Sequence, residues 1–386
     1  MAEPLPRETD GSARSEGSPR RRILHILPDG SAGGGGTAVL GLCRDLLATG
    51  RWDVALVTAP GSAVMEQAKA AGIRTHGLDF FTSRLDPRIA RRLARPVEAT
   101  RPDIVHAHGA RAALPFCFPA LRHIGPLVYT VHGFHHVRKP FPLRQLSRLA
   151  ERRIAARAAA VVFVSAGDQS RAANEEILPR RDPKATVIAN GIDPADFDGL
   201  TATEERFDLV FAGRAHQQKN PFFMIEIMEA LRTTGIRLRM ICGGELEAAV
   251  RARVAVSPAR DQIVLSGALP RRDVLRAFLS ARLYVQPSLW EGLPIAPIEA
   301  LYCGLPVVAS KIRGTDEVVI DGVNGRLIER FEPKLYADAI RTLLGDEAMR
   351  DRLAVQGEAW IKRQYLRPAG SERLARLYEG LLAQGE

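Results

Sequence analysis

Long hydrophobic runs are missing from this sequence of 386 residues. The longest apolar stretch, residues 158–166, falls far short of the ~20 residues a helix needs to cross a bilayer. A membrane-spanning protein is therefore not expected. Cysteine is scarce too. Cys43, Cys117, Cys242 and Cys303 lie far apart in apolar surroundings, with no CxxC and no Cys/His ligand spacing. That argues against a disulfide framework and a thiolate zinc site, and predicts reduced core thiols in a cytoplasmic protein. The opening MAEPLPRETDGSARSEGSPRRR lacks an apolar segment and carries acids, which is not the make-up of a signal peptide. Residues 1–19 are expected to form a disordered tail. Basic runs interleaved with aromatics are absent, as is any RNA- or DNA-binding motif, so nucleic acid is not an expected partner.

What is present is a soluble globular composition, 46% hydrophobic and 25% charged, long enough for two or three domains. The formal charge of +10 is unevenly placed. Residues 20–190 hold 26 basic and 13 acidic groups, whereas residues 191–386 hold 26 and 27. A basic proteome would raise both halves; a one-sided field favours anionic partners such as phosphates or an anionic lipid surface.

Short β-branched runs alternate with helical patterns along the chain. Strands are predicted at 23–27, 52–59, 73–78, 103–108, 127–133, 160–166 and 185–192. Residues 193–206 are acidic and turn-rich, and read as a linker. Strands resume at 207–213, 236–244, 262–269, 282–288 and 305–310, and helices at 333–344, 347–365 and 371–383 close the chain. Strands apolar at nearly every position are buried on both faces, which implies parallel sheets covered by helices. The expected fold class is α/β: two doubly wound domains, 20–192 and 207–386, with a ligand cleft at the carboxyl ends of their strands.

Three stretches carry chemistry. DGSAGGGGT (29–37) follows the first strand, and its glycines, Gly33 and Gly34 among them, allow close backbone approach to a ligand at a helix start. No acid ends the second strand, which argues against a nicotinamide cofactor; a merely flexible loop is the alternative. AGRAHQQKNP (212–221) sets Arg214 and Lys219 at a strand-to-helix turn, a planar fork and a point charge suited to a pyrophosphate. PSLWEGLPIAPIEALYCGLPVVAS (287–310) places Glu291 in a loop and Glu299 on the helix that follows. The N–H groups of Gly292, Leu293 and Ile295 can meet phosphate oxygens; Pro294 has none to offer. The two acids thus bracket an anion-binding turn. The alternative for Glu299 is a buried helix acid with a structural arginine partner.

Arg214 and Lys219, with PSLWEGLPIAPIEALYCGLPVVASKIRGTDEVVIDGVNGRLI (287–328), resemble the donor-binding half of retaining glycosyltransferases of family 4. The shared E-x7-E signature is met by Glu291 and Glu299. The resemblance extends to the glycine pair 33–34 and to YTVHGFH (129–135), and covers most of residues 20–385. It implies two Rossmann-like domains facing across a cleft, the GT-B fold. It also implies a nucleotide-diphosphate sugar as co-substrate, UDP-sugar favoured. Arg214 and Lys219 would bind the diphosphate, Glu299 the ribose and Glu291 the donor sugar. Gly33 and Gly34 would line the phosphate, and His132 the sugar near the reacting centre. Pro294 departs from the pattern, where many members carry glycine.

No metal or other cofactor is expected. DFD (196–198) lies in the linker rather than at a strand end. His106, His108, His132, His135 and His136 show no convergent ligand spacing. A nucleotide-sugar epimerase, a phosphorylase and a non-catalytic anion-binding protein remain as alternatives. The basic first half, with Arg84, Arg88, Arg91, Arg92 and Arg95 in one segment and Arg144, Arg148 and Arg152 in another, leads to an expected acceptor that is lipid-linked or polysaccharide. It would be met by a peripheral enzyme on an anionic membrane. In the second segment Leu143, Leu146, Ala150 and Ile154 share one helical face.

Overall fold

The computed structural model describes residues 20–31, 33–81, 88–121, 124–134 and 139–384. The tail 1–19, Arg84, His135 and His136 lie outside the described residues. The first sheet is formed by β1 (Arg21–Ile26), β2 (Trp52–Thr58), β3 (Arg74–Gly77), β4 (Ile104–His108), β5 (Leu127–Val131), β6 (Ala160–Phe163) and β7 (Ala185–Val187). They are parallel and run in the order β3-β2-β1-β4-β5-β6-β7. The crossovers carry α1 (Gly34–Ala48), α2 (Ala63–Ala70), α3 (Ile89–Thr100), α4 (Ala110–Ala113), α5 (Leu143–Arg157) and α6 (Ala166–Asn174).

The second sheet has β8 (Phe207–Ala212), β9 (Leu238–Ile241), β10 (Ile263–Leu265), β11 (Ala281–Gln286), β12 (Val307–Ser310) and β13 (Gly325–Ile328), in the order β10-β9-β8-β11-β12-β13. Its helices are α7 (Pro221–Ala230), α8 (Glu247–Ala255), α9 (Arg271–Leu279), α10 (Ile295–Tyr302), α11 (Thr315–Val318), α12 (Pro333–Gly345) and α13 (Glu347–Gln364). β13 was not expected: it is four residues long and pairs only at the edge, next to β12.

Period-two alternation explains why both faces are covered. On β1, Leu24 and Ile26 point to the core under α3, α4 and α5, while Ile23 joins the core under α1 and α2. In the second domain α7, α8 and α12 cover one face and α9, α10 and α13 the other. All four cysteines are free thiols. Burial pushes Cys43 and Cys303 up to about 12, so they stay protonated. Among the described residues no helix is long and apolar enough to cross a membrane.

The chain passes between the domains twice, side by side. Ile192 N–H donates to Tyr365 O at 2.9 Å, and Arg367 N–H donates to Ile192 O at 2.7 Å. After the second passage α14 (Arg367–Ala383) packs on the first sheet, not the second. Leu374, Ala375 and Tyr378 enter the core with α1 and Trp52. Assigning residues 207–386 to one domain by chain order therefore misplaces this helix in space. An amphipathic helix declares that it has a buried face, but not which sheet it covers.

Candidate active site

In an open parallel sheet the crevice lies where strand order reverses. Here the reversals fall between β1 and β4 and between β8 and β11. The loops leaving β1, β8 and β11 are the glycine loop, residues 213–219 and residues 287–294, so three separate motifs arrive at one place.

Arg214 spans the two domains. Its Nη1 donates to Asp29 Oδ2 at 3.1 Å and to Ser31 Oγ at 3.4 Å, both in the glycine loop. Burial raises the Asp29 carboxyl, but hydrogen bonds from Ser31 and the Arg214 charge outweigh it and hold it below the usual range. The glycine loop rests on the second domain. A Cβ built on Gly34 would lie 3.1 Å from Ile295 Cγ1, and one on Gly33 would lie 3.8 Å from Arg214 Cδ.

Lys219 and Glu291, assigned to neighbouring parts of one donor, are themselves paired: Nζ lies 2.6 Å from Oε1. The Gln218 side-chain amide donates to Glu291 Oε2 at 3.1 Å and to Trp290 O at 3.0 Å. Leu289 N–H returns to Gln218 O at 2.9 Å. The carboxylate is thus aimed by a cation and an amide from the facing loop. Pro294 is the N-cap of α10, which begins at Ile295 as expected. The N–H groups of Gly292, Leu293 and Ile295 meet no protein acceptor among the described residues. Gly292 is irreplaceable for steric reasons: a Cβ there would fall 2.6 Å from His132 O across the domain junction.

Glu299 is buried on α10 and accepts a hydrogen bond at Oε1 from Arg271, which also donates to Asp196 Oδ2 at 3.0 Å. The arginine partner weighed as the alternative reading for Glu299 is therefore present. The first acid of DFD is its second anchor. Burial raises the Glu299 carboxyl, and Arg271 only partly opposes this.

His132 follows β5 and lines a cleft cavity of about 290 Å³ with Glu291 and Gly292. Its Nε2 is 3.1 Å from His108 Nδ1, and His108 Nε2 is 3.0 Å from His25 Nδ1. His106 sits between Tyr378 Oη at 2.5 Å and Thr130 Oγ1 at 2.6 Å. Contrary to the expected lack of convergence, the ring nitrogens of His25, His106 and His108 lie within 4.8 Å of one another. Burial lowers His25 to about 3 and takes His106 and His108 well below the ordinary value, so all three are neutral. Their nitrogens are used mainly in bonding to one another, to Thr130 and to Tyr378. His25 was missed because only the β1–β4 register, His25 opposite His106, brings it in. Asp29, Gln218 and Arg271 were missed as partners for the same non-local reason.

Residues 193–360 match the family Glycosyl transferases group 1, and residues 33–191 match the Glycosyl transferase 4-like domain. The alpha-maltose-1-phosphate synthase of Mycobacterium tuberculosis is 30% identical over 292 residues, 67% of this chain and 74% of its own. The chain belongs to the group 1 glycosyl transferases. This transferase is also 29% identical over 287 residues to the D-inositol 3-phosphate glycosyltransferase of Xylanimonas cellulosilytica, covering 68% of each. Its fold matches Anabaena HepE, solved in complex with UDP and glucose, with a TM-score of 0.78 at 18% identity. The match covers 94% of the transferase and 100% of HepE. The two facing parallel-sheet domains are those of the GT-B glycosyltransferases.

Proposed function

We propose that this glycosyltransferase moves a sugar from a nucleotide-diphosphate sugar, with UDP favoured, to an acceptor with retention of anomeric configuration. The observation that carries this is the arrangement at the second sheet's reversal. Arg214, the Lys219–Glu291 pair and the N–H groups opening α10 face the glycine loop across the cleft. Cations and helix N–H groups suit a departing diphosphate, and the buried carboxylate suits sugar hydroxyls. The complex of HepE with UDP and glucose, on the same fold, supports a uridine donor.

In the step proposed, the acceptor oxygen bonds to the anomeric carbon on the face the diphosphate leaves. The bond from that carbon to phosphate oxygen breaks, and its electron pair stays on the phosphate. The acceptor's proton passes to that same oxygen, giving glycoside and nucleoside diphosphate. Arg214 and Lys219 stabilise the growing phosphate charge, which makes a metal unnecessary. His132 and Glu291 hold the sugar. Glu299, oriented by Arg271, holds the ribose.

We place the acceptor at an anionic membrane surface, as a lipid-linked or polysaccharide chain of envelope or exported-polysaccharide assembly. α5 supports this. Phe141, Leu143, Leu146 and Leu149 are 79%, 53%, 59% and 45% exposed beside Arg144, Arg148 and Arg152. The apolar face expected along α5 divides: Ile154 is in the core, whereas Leu143 and Leu146 reach solvent.

Purified protein incubated with a panel of labelled nucleotide sugars in EDTA should release nucleotide from one of them. Arg214→Ala and Lys219→Ala should each lose a charge-assisted contact of roughly 1.5–3 kcal/mol. Release from none of the panel would overturn the donor assignment, and complete loss in EDTA would overturn metal independence.

A further inference from the structure

One buried carboxylate in the cleft has no role in donor binding. Asp168, three residues into α6, is 3% exposed, and its Oδ2 has no hydrogen-bond partner. It lines the same cavity as His132, Glu291 and Gly292. A Cβ built on Gly133 would lie 3.9 Å from this oxygen and 3.2 Å from Gly292 Cα. Oδ2 therefore sits beside the junction where the two domains meet around the reacting centre.

The local explanation is a capping box, and it is only half made. Ser165 Oγ accepts from Asp168 N–H at 3.1 Å, but no return bond from the Ser165 N–H to the carboxylate is found among the described residues. Nor is the end of α6 in need of an acid. Glu317, from the second domain, already accepts from Ala166 N–H at 2.8 Å and Gly167 N–H at 2.7 Å. Leaving a buried carboxylate oxygen unbonded is costly unless something else supplies a donor.

Two cations line the cavity with it, one from each domain. Arg171 lies one turn along α6, and Arg313 is held by donating to Gly167 O at 2.5 Å. Neither forms an ion pair with Asp168 among the described residues. Arg171 sits 3.7 Å from Glu175. Burial and then Arg313 lower Arg171's pKa, and the opposing charges of Glu175 and Asp168 do not restore it, so the two guanidiniums feel each other. Forks approaching from two sides suit a tetrahedral group with several oxygens better than a planar carboxylate.

Building on the proposed transfer reaction, we propose that this is the acceptor subsite and that it takes a hydroxyl-bearing phosphate ester, with Asp168 accepting from an acceptor hydroxyl and Arg171 and Arg313 gripping the phosphate. The ester could come free in solution or as a lipid headgroup.

The test uses the full chain saturated with UDP, so that the donor's phosphate site is filled. Calorimetry compares glucose 1-phosphate with glucose, and myo-inositol 1-phosphate with myo-inositol. Vesicles of phosphatidylcholine with and without phosphatidylinositol present the ester at a surface. A phosphorylated member, free or in vesicles, should bind at least tenfold more tightly than its unphosphorylated counterpart. That preference should shrink in Arg171→Gln and Arg313→Gln. Asp168→Asn should weaken both members of a pair about equally. UDP affinity in each variant reports that it is folded, and failure of UDP to bind wild type would count against the donor reading instead. Equal affinity for both members, binding of neither in any arm, or a preference unchanged in both arginine variants would overturn the subsite.

Discussion

The two glutamates of the E-x7-E pattern differ in what holds them, and so in what their loss should do. Glu291 answers to Lys219 and Gln218, both in the loop after β8. Glu299 answers to Arg271, whose other partner is Asp196 in the linker. Glu299→Ala should weaken binding of UDP alone and also lower stability. Breaking a buried pair costs about 3 kcal/mol, and retention of Asp196 keeps the loss at that lower end. Glu291→Ala should leave UDP binding nearly intact and impair sugar transfer. Calorimetry with UDP beside a urea melt separates the two, and equal losses in both would contradict the division of labour. Glu151 gives a residue-scale pH effect. It is buried on α5 and accepts from Tyr129 Oη at 2.8 Å. Burial raises its carboxyl from 4.5 to about 7; the Tyr129 bond and Lys139 oppose this, while Glu175 and Asp168 add to it. Below the unfolded value both states are protonated and nothing is lost. As pH rises from 4.5 towards 7, the unfolded chain releases the proton first and stability falls, by about 3 kcal/mol in all. Glu151→Gln should therefore match wild type near about pH 4 and exceed it by that order near about pH 8. A difference that does not change with pH would count against this.

At the scale of elements, α5 and α3 are where the proposed membrane docking can be tested. The first two turns of α5 overhang the core, exposing leucines beside arginines, whereas Glu151, Ile154 and Ala155 are buried. On α3 and just before it, Arg88, Arg91, Arg92 and Arg95 are exposed on the same domain. An exposed apolar edge flanked by cations suits the boundary of an anionic bilayer. Each nearby cation contributes about 1 kcal/mol. The protein should sediment with anionic liposomes in a salt-dependent manner. Reversing Arg144, Arg148 and Arg152 should weaken binding, and Leu146→Ser should do so even at high salt. Equal partition to neutral and anionic liposomes, or none to either, would leave a soluble acceptor as the better reading.

Across the whole molecule, the two domains are tied by α14 and by polar contacts over the cleft. Arg367 donates to Gly41 O at 2.7 Å and pairs with Asp45 and Asp193. Ser371 Oγ donates to Asp45 Oδ2 at 2.5 Å, and Arg51 meets Glu379 at 2.6 Å. Tyr378 is fully buried, packed edge-on to Trp52 and bonded to His106. Tyr378→Ala should cost about 3 kcal/mol by analogy with other buried aromatic truncations. It should do so in the first domain although the residue lies near the chain's end. Native-state hydrogen exchange should quicken in β1, β2 and β4 and change little in β8 and β9. Faster exchange confined to the second sheet would show that α14 belongs there.

What the sequence determined by itself was local and periodic. Nearly continuous apolar strands separated by amphipathic helices specify parallel sheets covered on both faces, and the motifs after β1, β8 and β11 were legible because each is contiguous. The charge asymmetry needed only counting. What tertiary structure alone decided was which distant residues meet. Strand register put His25 against His106 and His108. Domain closure joined Arg214 to Asp29 and set Glu317 on the end of α6. Folding back of the chain placed α14 on the first sheet and left the first turns of α5 in solvent. None of this has a sequence period. A helix's apolar stripe or a lone carboxylate is compatible with many neighbours, and only the simultaneous burial of both domains selects one of them.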